Sequence, residues 1–311
     1  MPELPEVETI KVGLSKMLPG HQVKSVKSNW KKSFPNSKND VSKFLIGSKI
    51  VQVRRRAKVL IIDLDSKYSL VIHLKMTGQL VFVQKQESPV VSRQSPATKD
   101  KRLRTKDEVR FGAGHPTDSL IGKLPDKSTR IIFDMGEAEL FFNDQRKFGW
   151  ARLIPTIEIE NIDFFKKLGP EPLEDDFTAK DFKERIKKRL KSYIKPVLLD
   201  QTVIAGVGNI YADESLWCAK IHPLTRVKDL QDLQLDKLYK CLRDVLELSI
   251  KKGGSTDKNY IDAEGKRGSY LKFAKVFRRE NLPCPRCASN IIKTRVAGRG
   301  THICPACQII A

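Results

Sequence analysis

The stretch Asp200-Gln-Thr-Val-Ile-Ala-Gly206-Val-Gly208-Asn209-Ile-Tyr-Ala-Asp-Glu214 interrupts a helical pattern with a glycine-rich turn, and a new helix starts near Asn209. Small residues there let backbone N–H groups approach a phosphate, and a helix N-terminus adds a dipole of the right sign. Taken alone, such a turn is more often structural. Its surroundings weigh toward nucleic acid. The chain has 311 residues, with 58 Lys+Arg against 37 Asp+Glu and a formal net charge of +21. Clustered cations release counterions when they meet phosphates, so this surplus points to a polyanionic partner. The excess is densest from Gly265 to Ala311, where Glu280 is the one acid.

Within that basic end lie Cys284-Pro-Arg-Cys287 and Cys304-Pro-Ala-Cys307, two CxxC knuckles separated by 16 residues. Four thiolates so spaced suit one tetrahedral Zn²⁺ with no open ligand position, hence a structural ion. The ion would hold a β-hairpin whose tip includes Gly298-Arg299-Gly300-Thr301, because residues this few and this polar cannot bury a core. Cys218 and Cys241 stand alone inside helical patterns. That is no disulfide framework, and a reducing compartment fits it. With no signal peptide and no apolar run long enough to span a bilayer, the sequence reads as a cytoplasmic, nucleoid-associated protein.

Upstream, residues 4–18 carry Leu4, Val7, Ile10, Val12, Leu14, Met17 and Leu18 at roughly helical spacing until Pro19-Gly20 stop the pattern. Strand signals follow from Ile50, over Val59–Leu64 and Leu70–Leu74, and again at Arg130–Asp134, Ala138–Phe142 and Ala151–Ile154. This half reads as a β-sandwich with one leading helix. Residues 84–127 are polar and Ser/Pro/Lys-rich, and read as a long, disordered insertion loop. From about Phe177 to Gly253 the pattern is helical. Phe182, Ile186, Leu190 and Ile194 recur every four residues, and a stripe from Leu230 to Ile250 is closed by Gly253-Gly254. The expected fold is therefore an α+β multidomain chain. Residues 1–155 form the sandwich, 156–270 a helical DNA-binding domain built around the two-turn motif, and 271–311 a zinc hairpin.

The amino terminus reads Met1-Pro-Glu-Leu-Pro-Glu-Val-Glu-Thr9. If Met1 is removed, Pro2 offers a secondary amine. A terminal amine titrates near ~8, against ~10.4 for lysine, so it is more readily neutral and nucleophilic. Such an amine can attack a sugar C1′ and form an iminium. Glu3 stands next to it to move protons, and Glu6, one turn on, could orient the site. Ordinary helix-start chemistry accounts for the same residues, since Pro and acids favour a first turn.

The runs MPELPEVETI, RRRAKVL, HLKMTGQL, RKFG, LGPEPL, DQTVIAGVGNIYADESLW, GGST and CPRC…GRGTHICPACQ resemble formamidopyrimidine-DNA glycosylase along nearly the whole chain outside 84–127. That resemblance implies a base excision repair enzyme that removes oxidised purines through a Schiff base at Pro2. It also implies an apurinic/apyrimidinic lyase that cuts the strand by β- and δ-elimination. Glu3 would be the proton donor in base release. Lys58 would bind phosphate and assist β-elimination, and Arg299 would serve δ-elimination. Asn209, His73 and Lys191 (or its neighbour Arg189) would contact the backbone. Met76, Arg146 and Phe148 would fill the gap left by the extruded nucleotide, which chemistry at C1′ requires. The implied partner is duplex DNA with oxidised bases or abasic sites, bound by a monomer, with one structural Zn²⁺ and no membrane.

Several positions depart from the family pattern. Ser128 stands where a DNA-touching histidine is usual, Gln145 replaces a proline, and Arg278 and Asn281 replace glycines. A sister enzyme of the endonuclease VIII type, acting on oxidised pyrimidines, resembles the chain less, since it differs at PELPEVET and at the Met-Arg-Phe set. A zinc-dependent DNA-binding protein without chemistry would not need Pro2, Glu3, Lys58 and Arg299 together.

Overall fold

The computed structural model describes residues 2–85, 108–113, 118–255, 260–261 and 269–310. The leading helix α1 spans Leu4–Met17, and its buried positions Leu4, Val7, Ile10 and Leu14 form one stripe facing the core. Glu6 caps its start by accepting the Glu3 N–H at 2.8 Å.

Two antiparallel sheets close on the main core. One runs in the order β2 (Ile50–Arg56), β3 (Val59–Leu64), β4 (Tyr68–His73) and β9 (Trp150–Pro155). The other runs β1 (Ser25–Ser28), β7 (Thr129–Asp134), β8 (Ala138–Asp144), β5 (Gly78–Lys85), β6 (Glu108–Ala113) and β10 (Tyr260–Ile261). All six residues of β3 are buried. Leu60, Ile62 and Leu64 face the main core, while Val59 and Ile61 pack on Ile159 and Phe165 outside the sandwich. The strand is thus covered on both faces, so its sequence is a continuous apolar run rather than an alternation.

Residues 84–127 are not all loop. Within them β6 pairs with β5 in the register Phe82↔Phe111. Phe111 is fully buried against α1, where a Cβ on Gly13 would lie 2.0 Å from its ring. Six residues between polar flanks offer too few alternations to be noticed in the sequence.

The four-residue stripe from Phe182 is not one helix either. Helix Ala179–Lys187 buries Phe182 and Ile186, the chain turns and leaves Leu190 exposed, and a second helix begins at Ile194. Pro196 suits the first turn of that second helix and would break the interior of a longer one. Helices Asn209–Ala219 and Asp232–Lys251 follow, the latter ending at Gly253 and Gly254, both with positive φ. Packing of these two helices brings Cys218 and Cys241 into a disulfide with Cα atoms 5.8 Å apart. The sequence, in which 23 positions separate them, reads as two lone thiols. No helix among the described residues is long and apolar enough to cross a membrane.

The terminal hairpin pairs β11 (Ile292–Val296) with β12 (Arg299–Ile303). Its two-residue turn is Ala297-Gly298, both at positive φ, as such tight hairpins require. Arg299 to Thr301 therefore stand on a strand rather than in the tip.

Candidate active site

The start of α1 is docked onto the glycine-rich turn. The Leu4 N–H donates to the Gly206 carbonyl at 3.1 Å, and Gly206 sits at φ +90°. A Cβ on Gly208 would fall 2.0 Å from the Glu3 carboxyl carbon, so glycine is what lets the two segments meet. Gln201 staples the turn, accepting from the Gly206 N–H and donating to the Val207 carbonyl.

Pro2 and Glu3 are buried at this junction. One Glu3 oxygen accepts the Ile210 N–H at 3.3 Å, and the other has no partner among the described residues. Burial pushes the Glu3 pKa up to about 7; Lys58 pulls it down and Glu6 pushes it further up. A carboxyl in that range can both hold and release a proton near neutrality. Glu6 accepts from the Glu3 N–H, the Tyr211 hydroxyl and the Ser255 N–H, and the hydroxyls of Tyr211 and Ser249 are 2.6 Å apart. Burial, reinforced by Glu6, raises the Tyr211 pKa and keeps the phenol a donor.

Lys58 projects from the two-residue turn between β2 and β3, where Ala57 takes φ +53°. Its ammonium donates to the Val207 carbonyl at 2.7 Å. Burial lowers its pKa, Glu3 opposes that, and Arg299 adds to it, so the Lys58, Glu3 and Arg299 charges share one neighbourhood. Glu171, 3% exposed, braces the turn: it accepts the Ala57 N–H at 2.6 Å and pairs with Arg55 at 2.5 Å and Arg56 at 3.2 Å. Arg55 also pairs with Glu8 of α1 at 2.7 Å. Arg55 and Arg56 of the RRRAK run are thus occupied in holding the turn that carries Lys58.

His73 pairs across the sheet with Val59. Its Nδ1 accepts the Lys75 N–H at 3.0 Å, which leaves the hydrogen on Nε2. Burial, then Lys75 and Lys58, lowers its pKa to about 3, so it is a neutral donor. Met76 and Phe148 are exposed, and the Arg146 guanidinium lies 5.0 Å from the Phe148 ring. Buried Asp144 ties their two loops together by accepting from the Thr77 hydroxyl and from the Arg146 and Gly149 N–H groups. Ser128 is buried and spends its hydroxyl on Asp126 and Ser119.

The hairpin is fastened to the glycine-rich turn. The Asn209 amide donates to the Gly300 carbonyl at 2.9 Å. The Lys195 ammonium, fully buried, pairs with Asp213 at 2.6 Å and donates to the Thr301 hydroxyl at 2.6 Å. Lys191 is exposed on the turn before Ile194 and touches none of this cluster. The sulfur atoms of Cys284, Cys287, Cys304 and Cys307 all lie within 4.8 Å of one another.

Three family models match the chain: "Formamidopyrimidine-DNA glycosylase N-terminal domain" over residues 1–114, "Formamidopyrimidine-DNA glycosylase H2TH domain" over 168–260, and "Zinc finger found in FPG and IleRS" over 281–309. The formamidopyrimidine-DNA glycosylase of Pelotomaculum thermopropionicum is 36% identical over 310 residues, covering 99% of each chain. That of Herpetosiphon aurantiacus is 38% identical over 311 residues, covering 99% of this chain and all of the relative. The chain belongs to the formamidopyrimidine-DNA glycosylase family. Among solved structures, a Lactococcus lactis FPG variant bound to Fapy-dG-containing DNA matches with 32% identity, a TM-score of 0.81 and 99% coverage of both chains. MutM in complex with DNA containing carbocyclic 8-oxo-G matches with 32% identity and a TM-score of 0.79, over 99% of this chain and 100% of the other.

Membership makes the chain a DNA glycosylase of base excision repair with a structural zinc finger. The four cysteines fit the ion. Sulfurs about 2.3 Å from Zn²⁺ would stand roughly 3.8 Å apart in a tetrahedron, and the Cys284–Cys307 and Cys287–Cys304 pairs stand at 4.0 and 3.3 Å. The Trp217 indole N–H and the Arg286 N–H both point at the Cys284 sulfur at 3.4 Å, as donors to a metal-bound thiolate do.

Sequence reasoning missed Glu171, Tyr211, Lys195 and Asp213, although three of them lie inside or beside quoted motifs. Their partners are distant in sequence, so no local pattern exposes them. Lys195→Ala would strand the Asp213 carboxylate in the interior. A loss of roughly 3–5 kcal/mol in urea unfolding is expected; an unchanged midpoint would rule out the brace.

Proposed function

We propose that this chain excises oxidised purines, 8-oxoguanine and formamidopyrimidines, from duplex DNA and then cuts the strand as an abasic-site lyase. The observation that carries the reading is Glu3, a buried carboxyl held near pH 7 beside Pro2 and within the field of Lys58. Extrusion of the damaged nucleotide brings C1′ to the Pro2 amine, and its cost of a few kcal/mol is partly offset by Met76, Arg146 and Phe148 filling the gap. The Pro2 nitrogen bonds to C1′ as the N-glycosidic bond breaks, and the base leaves with the proton of Glu3. The C1′–O4′ bond then opens, O4′ taking up the proton that the Pro2 nitrogen gives up, and an iminium is left at C1′. The iminium acidifies C2′, and β-elimination expels the 3′ phosphate with Lys58 assisting. Arg299 then serves δ-elimination of the 5′ phosphate. Asn209, His73 and Lys191 contact the backbone, His73 through its Nε2–H. The zinc ion, by holding the hairpin, positions Arg299 and takes no chemical part. The protein acts as a monomer.

The mechanism requires the Pro2 amine to be free of Met1. Borohydride trapping on a duplex with one 8-oxoguanine opposite cytosine, followed by mass mapping, tests it. The expected result is a cross-link at Pro2 and a gap with phosphates on both sides. Trapping only on an oxidised pyrimidine would reassign the substrate, and salt-sensitive binding with no trapping would remove the chemistry.

A further inference from the structure

Between the start of the Asn209 helix and the zinc hairpin lies a cleft of about 500 Å³, whose lining includes Asn209, Arg278, Lys293 and Gly300. His302, 4% exposed, forms part of its wall, edge-on to the Phe277 ring at 5.0 Å. The acid in the cleft is already engaged. Glu280 lies 3.3 Å from His302 Nε2 and 3.6 Å from the Lys293 ammonium. Arg278 is different: it is exposed, and it has no acidic partner among the described residues.

The backbone makes Arg278 more conspicuous. It sits at φ +57°, the left-handed region that suits glycine and strains any residue with a Cβ. The Arg278 guanidinium lies over the Phe277 ring at 5.9 Å but meets no acid among the described residues, and a strained position holding a long cation without a counter-charge in a cleft lining is explained by an anionic ligand for that cation. A guanidinium fork matches a phosphodiester in shape and charge.

We propose that Arg278, with Lys293, binds a further phosphodiester of the DNA backbone in this cleft, next to the phosphate clamped by Asn209 and Arg299. The inference rests on the clamp assigned above and extends the footprint of the hairpin along the strand.

The test is fluorescence anisotropy of the full zinc-loaded chain on a duplex with a reduced abasic-site analogue, titrated across a series of salt concentrations. Each lost phosphate contact lowers the slope of log affinity against log salt by about 0.9. Arg278→Gln and Arg278→Gly should each show that decrease and bind several-fold more weakly, and Arg278→Lys should restore the slope. Arg278→Gly relieves the positive φ, so its melting temperature should hold, which separates lost binding from lost fold. Wild-type slopes in both the Gln and Gly variants would overturn the proposal. Borohydride trapping of the wild type, run in parallel, reports separately on the proposed chemistry.

Discussion

Glu3→Gln is expected to slow release of 8-oxoguanine by about 10²–10⁴-fold in single-turnover assays, the range associated with loss of one positioned general acid. The amide is nearly isosteric and can still accept the Ile210 N–H, so the docking of α1 on the glycine-rich turn is preserved. What disappears is the proton for the departing base. Strand cleavage at a preformed abasic site bypasses that step and should be much less affected, which separates a lost donor from a damaged site. The pH dependence has a definite sign. Burial raises the Glu3 pKa to about 7, so the donor is loaded below that value and empties above it. Wild-type excision should fall as pH rises through about 7, and the Gln variant should lack that limb. Excision by the variant at the wild-type rate would take Glu3 out of the mechanism.

Stripping the zinc should be equally severe, by another route. Structural zinc contributes roughly 10–16 kcal/mol of apparent binding energy near pH 7, and a module with so small a core cannot replace it. The apolar residues behind the knuckles are Trp217, Val276 and Ile291. When the hairpin unfolds, Asn209 loses the Gly300 carbonyl and Lys195 loses Thr301, so the arm carrying Arg299 no longer has a fixed place. Binding to lesion DNA should drop toward the non-specific level, roughly 10³-fold weaker or more. The helical domain has a separate core around Tyr211, Leu216, Leu238 and Leu242, so far-UV circular dichroism should retain most of its helix signal. Cys304→Ser should behave like chelation. Undiminished affinity after verified zinc loss would show that the hairpin is dispensable.

The two experiments address the two ends of one junction. Residues at the start of the chain, at 58, across 200–210 and at 299 share a site because a helix start, a strand turn, a glycine turn and a hairpin converge there. Glu171 holds the strand turn and Gln201 the glycine turn, so both act at a distance from the reacting atoms. Arg54 and Asp63, by contrast, pair on the sheet at 2.8 Å, away from this junction, and brace β2 against β3.

What could be read without the structure is what neighbouring residues encode. Ligand spacing in two CxxC knuckles, the stripe of α1, the apolar runs of β3 and β4 and the glycine turn before Asn209 are local patterns, and the motifs resembling a known family are continuous segments. The tertiary structure decided what depends on surfaces meeting. It placed Phe111 against Gly13, joined Cys218 to Cys241, set Glu171 behind Lys58 and buried Lys195 with Asp213. Glu3 shows the division within one residue. As a sequence feature it is a helix-start acid, and the capping contact with Glu6 bears that out. Its proton affinity near neutrality comes from desolvation, which exists only because Gly208, some 200 positions away, leaves room for the carboxyl to be covered.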